Sequence, residues 1–97
     1  MPKKIIWSLE AESDYSANID YLLEKWSVRD AREFVENAES VIKIISNFPE
    51  AFSVSDYKKI RKALICNQIN LLYQVHKSEI ILLRFLDNRQ KPLSKKI

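Results

Sequence analysis

The side chains with chemistry to offer are concentrated in the second half of the chain. Lys58-Lys59 and Arg61-Lys62 put four cations within five positions, and the apolar run Ile80 to Leu86 ends in the charged and amide groups Asp87, Asn88, Arg89, Gln90 and Lys91. Ammonium and guanidinium groups bind phosphates and carboxylates, so either set suits an anionic partner. His76 is the only histidine and the one side chain whose ordinary pKa suits proton transfer near neutrality. It falls in Val75-His76-Lys77-Ser78, between two apolar runs, and is expected to be an exposed turn residue. Cys66 stands alone, which excludes an intrachain disulfide and gives no metal-ligand spacing. Beside Leu64 and Ile65 it is expected to be a packed thiol and not a nucleophile.

Charge is unevenly spread. Residues 1 to 48 carry six Lys/Arg against nine Asp/Glu, a net −3, while residues 49 to 97 carry ten against four, a net +6. The basic half suits a phosphate-rich or acidic partner. The chain has no glycine. Phosphate-cradling loops and dinucleotide fingerprints need glycine for tight turns and close backbone approach, so no nucleotide cofactor is expected, and no ligand cluster suggests a metal. No apolar stretch approaches the ~18 residues that span a bilayer, so no membrane partner is expected. Met1-Pro2-Lys3-Lys4 leads straight into a strand-like segment, which reads as no signal peptide and a cytoplasmic location. A chain of 97 residues is expected to form one domain, 1–97.

The elements that must position these groups follow from periodicity. Ile5-Ile6-Trp7 predicts a short strand, and Ser8 behind it an N-cap. Ala11, Tyr15, Ile19, Leu22, Leu23 and Trp26 recur at helical spacing, with Glu10, Glu12 and Asp14 near the positive end of the dipole. Ser27 predicts a second N-cap, with Asp30 three residues on as a weaker capping box. Ala31, Phe34, Val35, Ala38, Val41, Ile42 and Ile45 form the next stripe, ending near Asn47 before Pro49. With almost no linker between them, the helices must form a hairpin over one core. Trp7 and Trp26 are expected to pack in the core or between helices.

From Ile60 the period changes. Ile60 to Cys66, Ile69 to Val75 and Ile80 to Leu86 predict three antiparallel strands, separated by Asn67-Gln68, where Asn67 takes a positive φ, and by Lys77-Ser78. In the middle strand Ile69, Leu71, Tyr73 and Val75 share the face that the helices should cover. Phe48 to Tyr57 is a connecting loop with Phe52 and Tyr57 as aromatic anchors. Lys95-Lys96-Ile97 reads as a short basic tail. The fold class is α+β, β-α-α-β-β-β, with an N-terminal strand, a helical hairpin and a mostly antiparallel sheet.

This order, with Ile6-Trp7-Ser8, Glu10-Ala11-Glu12, Tyr21-Leu22, Trp26-Ser27, Asn47-Phe48-Pro49-Glu50, Ile60-Arg61-Lys62, Leu72-Tyr73-Gln74-Val75, Leu83-Arg84-Phe85, Asp87-Asn88-Arg89-Gln90 and Pro92, resembles the RelE/ParE superfamily of toxins from bacterial type II toxin–antitoxin (plasmid stabilisation) modules. The resemblance covers essentially the whole chain. It implies a compact growth-inhibiting toxin neutralised by a cognate antitoxin that wraps its sheet and helix surfaces, and contact with operator DNA only through that antitoxin. Some members enter the ribosome and cut messenger RNA; others poison DNA gyrase.

For the nuclease branch, the resemblance places Arg61 and Lys62 of the second strand and Arg89 after the last strand as phosphate-holding candidates for metal-free RNA cleavage. Two departures weigh against that branch. Asn70 stands where its members carry an arginine early in the third strand, and neither Tyr nor His follows Arg89. Arginine is a poor general base. The leading reading is therefore a toxin that binds a macromolecular target, DNA gyrase. The alternative is a ribosome-dependent messenger RNA endoribonuclease; a third reading is a degenerate toxin that retains only antitoxin binding and co-repression. Arg84 is expected to be structural, and Asp87 to pair with an arginine and pin the C-terminal segment. Some of Tyr15, Ile19, Leu22, Phe34 and the fourth-strand apolar residues are expected to be exposed until an antitoxin covers them. Substituting His76→Ala is expected to leave growth inhibition intact, measured by colony counts after induction; a large loss from a folded variant would make His76 a working residue.

Overall fold

Two serines set where both helices begin. The computed structural model describes residues 2–66 and 68–87. Strand β1 (Lys4–Trp7) runs directly into helix α1 (Leu9–Lys25), and α2 (Val28–Asn47) follows after two residues. Ser8 Oγ accepts the Ala11 N–H (2.9 Å) and Ser27 Oγ accepts the Asp30 N–H (3.1 Å), each satisfying an amide that the first turn leaves unpaired. The Ser27 hydroxyl also donates to the Asp30 carboxylate (2.8 Å), a side-chain contact in place of the reciprocal bond to the Ser27 backbone N–H that a capping box would make. A loop then leads to β2 (Arg61–Cys66), β3 (Ile69–Val75) and β4 (Glu79–Asp87).

The sheet order is β1-β4-β3-β2. The β2–β3 and β3–β4 pairs are antiparallel, and β1 lies parallel to β4 with Lys4 opposite Glu79 and Trp7 opposite Leu82. The expected α+β order is therefore present. The helices cover one face, α1 against β4 and α2 against β2. Ile69, Leu71 and Tyr73 are fully buried beneath them, as the period-two pattern of β3 requires. Trp7, Tyr15, Phe34 and Phe85 meet where β1, both helices and β4 converge, with ring centroids 5.1–6.1 Å apart in edge, stacked and tilted pairs.

Several expected exposures are corrected. Leu22 and Phe34 are buried in the core, and Tyr15 and Ile19 pack against it. Among the fourth-strand apolar residues Leu86 is exposed, so the exposure expected of some of this set is found there. Trp26, expected to be packed, is 56% exposed: it is the C-cap of α1, with φ −125° and ψ −101°, so the backbone has already left the helix that would carry it onto the buried stripe. Asn67 and Lys95-Lys96-Ile97 lie outside the described residues.

β1 pairs with only the first four residues of β4, so among the described residues the edge of β4 beyond Leu82 has no strand beside it. α1 supplies the missing partners. The Ser8 N–H donates to the Leu82 carbonyl (3.0 Å) and the Ser8 hydroxyl to the Leu83 carbonyl (3.1 Å). Nearly two turns further on, the Asp14 carboxylate accepts the Phe85 N–H (3.0 Å), and Asn18 Nδ2, about a turn beyond it, donates to the Phe85 carbonyl (3.2 Å). Asp14 and Asn18 are four residues apart and so share one helix face. An extra residue on β4 allows this: Leu72 faces Arg84 while Tyr73 faces Leu82, leaving Leu83 as a bulge where β1 ends. Asn18→Ala should cost about 1–3 kcal/mol by stranding a buried carbonyl. Urea denaturation reads this directly, and a loss within error would mean that water replaces Asn18 at no cost.

Candidate functional site

Adjacent residues of a strand point to opposite faces, and this decides what the β2 cations can do together. Ala63 and Ile65 are buried beneath the helices, and Arg61 shares their side of β2, opposite Tyr73. Its Nη1 donates to the Phe52 carbonyl (2.7 Å), so the guanidinium holds the α2–β2 loop. Lys62 projects from the other face with Leu64, which is 58% exposed. The structure does not bring Arg61 and Lys62 together on one face. Arg89, the third candidate, lies outside the described residues, as do Asn88 and Gln90.

The open face is chiefly apolar and amide. Beside Lys62 and Leu64 it carries Asn70, Leu72 and Gln74 from β3 and Ile81 and Leu86 from β4. Arg84 emerges next to it but bends over the sheet edge to α1, pairing with Asp14 through Nε–Oδ2 (2.6 Å) and Nη2–Oδ1 (3.0 Å). That hydrogen-bonded pair holds the Arg84 pKa above its ordinary value, against a smaller opposing effect of burial. Its role is to fix α1 to β4, as expected for a residue inside the strand. His76 is exposed in the β3–β4 turn, with Nε2 3.2 Å from Gln74 Oε1. Asp87 is buried at the end of β4, and Cys66 is half-buried against the core. Among the described residues no group of three His, Cys, Asp or Glu is placed to hold a metal ion.

The α2–β2 loop, by contrast, is fixed at many points. The Tyr73 hydroxyl donates to the Pro49 carbonyl (2.9 Å), Arg61 to Phe52, and Gln74 Nε2 to the Lys58 carbonyl (2.8 Å). Val54 bridges to Arg61, and the Lys62 N–H donates to the Ser53 carbonyl (3.1 Å), so the loop continues the sheet past β2. Phe52 packs against the core as an anchor, whereas Tyr57, expected to be a second anchor, is 67% exposed. Lys58 and Lys59 both have positive φ, 51° and 56°, a conformation costing of order 1 kcal/mol or more per non-glycine residue. Two shallow clefts flank the loop: one of about 700 Å³ beside Phe48, Pro49 and Val75, the other of about 410 Å³ bounded by Ser53, Ser55, Tyr57, Lys62 and Leu72. Sequence reading missed these staples. The readable signal was a single polar residue, Gln74, next to a buried tyrosine in the middle strand.

A family model for the ParE toxin of the type II toxin–antitoxin system parDE matches residues 5–92. The chain belongs to the ParE toxin family. Among solved structures, a chain of the chromosomal ParDE toxin–antitoxin system from P. aeruginosa superposes with a TM-score of 0.72 at 19% identity, covering 86% of this chain and 92% of that one. The YoeB dimer from Staphylococcus aureus gives 0.63 at 16%, covering 88% and 95%. A YoeB/ParE toxin from Agrobacterium tumefaciens gives 0.61 at 20%, covering 84% and 94%. No curated protein sequence matches the chain. At such identities the superpositions establish a shared fold, and the family match establishes a toxin of the RelE/ParE superfamily.

In this ParE-family toxin, the Tyr73 phenol ties the loop to the core and gives stability a pH signature. Burial raises its pKa above the usual 10.0, with the Arg61 charge and a Phe52 backbone hydrogen bond offsetting part of the rise. Burial, with Glu39, also raises that of Tyr15. A raised folded pKa contributes stability that is fully present below the unfolded value and lost as pH rises through the folded one. Unfolding free energy should therefore fall as pH rises past 10.0 and through the raised folded-state values. Tyr73→Phe should cost about 1 kcal/mol at neutral pH and make the alkaline decline shallower, Tyr15 accounting for the remainder. An equally steep decline in the variant would show that Tyr73 is not its source.

Proposed function

We propose that this toxin arrests bacterial growth by binding a macromolecular target in the cytoplasm, DNA gyrase, and that a cognate antitoxin holds it inactive. The open face of the sheet carries the proposal. Leu64, Leu72, Ile81 and Leu86 spread apolar surface across three strands, with Asn70, Gln74 and Lys62 among them. Apolar surface of that extent is suited to a protein partner, which buries it. Arg61 and Arg84 are committed to the Phe52 carbonyl and to Asp14, so the work of both guanidinium groups is to hold the frame. Stabilising the charge of a scissile phosphate needs cations converging on one point, and Arg61 and Lys62 leave β2 in opposite directions. Among the described residues no helix is long and apolar enough to cross a membrane.

Inducing the chain without its antitoxin should stop growth with DNA breaks and an SOS response while transcripts stay intact. Co-expression of a small neighbouring open reading frame with an amphipathic C-terminal half should restore growth. In-frame transcript cuts in place of DNA breaks would replace this reading with ribosome-dependent, metal-free messenger RNA cleavage, with Arg61, Lys62 and Arg89 at the phosphate. A folded protein that causes no arrest would leave only antitoxin binding and co-repression.

A further inference from the structure

The turn from Tyr57 to Ile60 breaks the residue rule for its own geometry. The Ile60 N–H donates to the Tyr57 carbonyl (3.1 Å), and both central residues, Lys58 and Lys59, have the positive φ that a type I′ turn requires. Asn-Gly or Asp-Gly ordinarily fills those positions, because longer side chains meet a steric penalty in the left-handed region. The surroundings hold the shape regardless. Gln74 Nε2 donates to the Lys58 carbonyl, Ser55 Oγ to the Tyr57 carbonyl (3.2 Å), and the Ser55 N–H to the Ile60 carbonyl (2.8 Å). Strain secured by neighbours in this way marks positions where the side chains are needed for something other than folding.

What two lysines supply, and Asn-Gly does not, is a pair of ammonium groups on a rigid hairpin. Lys62 adds a third on the open sheet face, lining the same cleft as Tyr57. Asp56 is the one carboxylate from Asp56 to Lys62, so the three lysines outnumber it, with Arg61 turned to the other face and bonded to the Phe52 carbonyl. Lysine is a point charge without the planar fork that clasps a carboxylate, so three on a fixed ribbon suit phosphate oxygens. The Tyr57 ring has Lys58 Nζ 5.3 Å from its centre, over the face that a stacked, unpaired base would use. A two-stranded ribbon also has the dimensions of a duplex groove.

We propose that the Lys58–Lys59 turn, together with Lys62, binds the phosphate backbone of duplex DNA. The proposal goes beyond the gyrase reading and does not rest on it. It departs from the sequence-based expectation that DNA is reached only through the antitoxin.

The test is fluorescence anisotropy of the full chain with a short DNA duplex and a single-stranded RNA of equal length, across a salt series. The wild-type chain should prefer the duplex. The double substitution Lys58→Asn with Lys59→Gly relieves the turn, so it should raise the melting temperature while weakening duplex binding about tenfold and lowering the salt slope by about 2. Lys58→Arg with Lys59→Arg should keep the slope, and Lys62→Gln should lower it by about 1. Unchanged affinity and slope in the Asn-Gly variant would overturn the proposal, as would a wild-type chain that binds no duplex. Tighter binding to the RNA, lost in the same variant, would overturn the assignment to duplex DNA.

Discussion

The contact on which the remaining structure depends is the closure of the β4 edge by α1. A four-residue β1 cannot pair with a nine-residue β4 along its length, and an open edge leaves backbone groups unsatisfied and available to other chains. Ser8, Asp14 and Asn18 complete the pairing with side chains, so a helix takes the place of the next strand turn by turn. The same contacts set where α1 lies, and α1 in turn sets the position of Tyr15 against Trp7, Phe34 and Phe85. Arg84 reinforces the closure from outside. Being half exposed, its ion pair adds modestly to stability, and its value lies in fixing the orientation of Asp14, which accepts three hydrogen bonds at once.

Most of the architecture was legible because hydrophobic period and capping agree at each step. Ser8 and Ser27 announce helix starts in two-residue junctions, and the period-two alternation of β3 identifies the face the helices cover. What stayed hidden was polar and long-range. Asn18 sits three and four residues from Tyr15 and Leu22, in the buried stripe of α1, but its partner is a backbone carbonyl 67 residues away that no local pattern names. Trp26 fits the apolar spacing of α1, which suggests packing in the core or between helices, yet as the C-cap it stands where the backbone has left the helix and is exposed. The site was less legible still. Arg61-Lys62 reads as one basic pair along the chain, yet the pleat sends the two in opposite directions, one under a loop and the other into the open.

The two faces of the sheet also divide the chemistry. The covered face spends its polar groups, Arg61 and Tyr73, on loop carbonyls, which leaves the α2–β2 segment anchored despite its length. The uncovered face keeps apolar side chains in reach of other molecules. This division explains how a chain without glycine can hold a long connection in one shape: side-chain donors from β2 and β3 secure carbonyls that glycine-rich turns would otherwise satisfy among themselves.

The parallel pairing of β1 with β4 joins the first strand to the last. Ser8 and Leu83 meet across a separation of 75 residues, so this part of the sheet has high contact order, and its loop-closure entropy must be met before the contact gives anything back. Chain growth on the ribosome proceeds from the N-terminus, and β1 and the helical hairpin emerge long before β4 exists to receive them. The sheet, and the open face it presents, is therefore assembled only after β4 has been made. Until then the nascent toxin has no finished surface with which to act on its host.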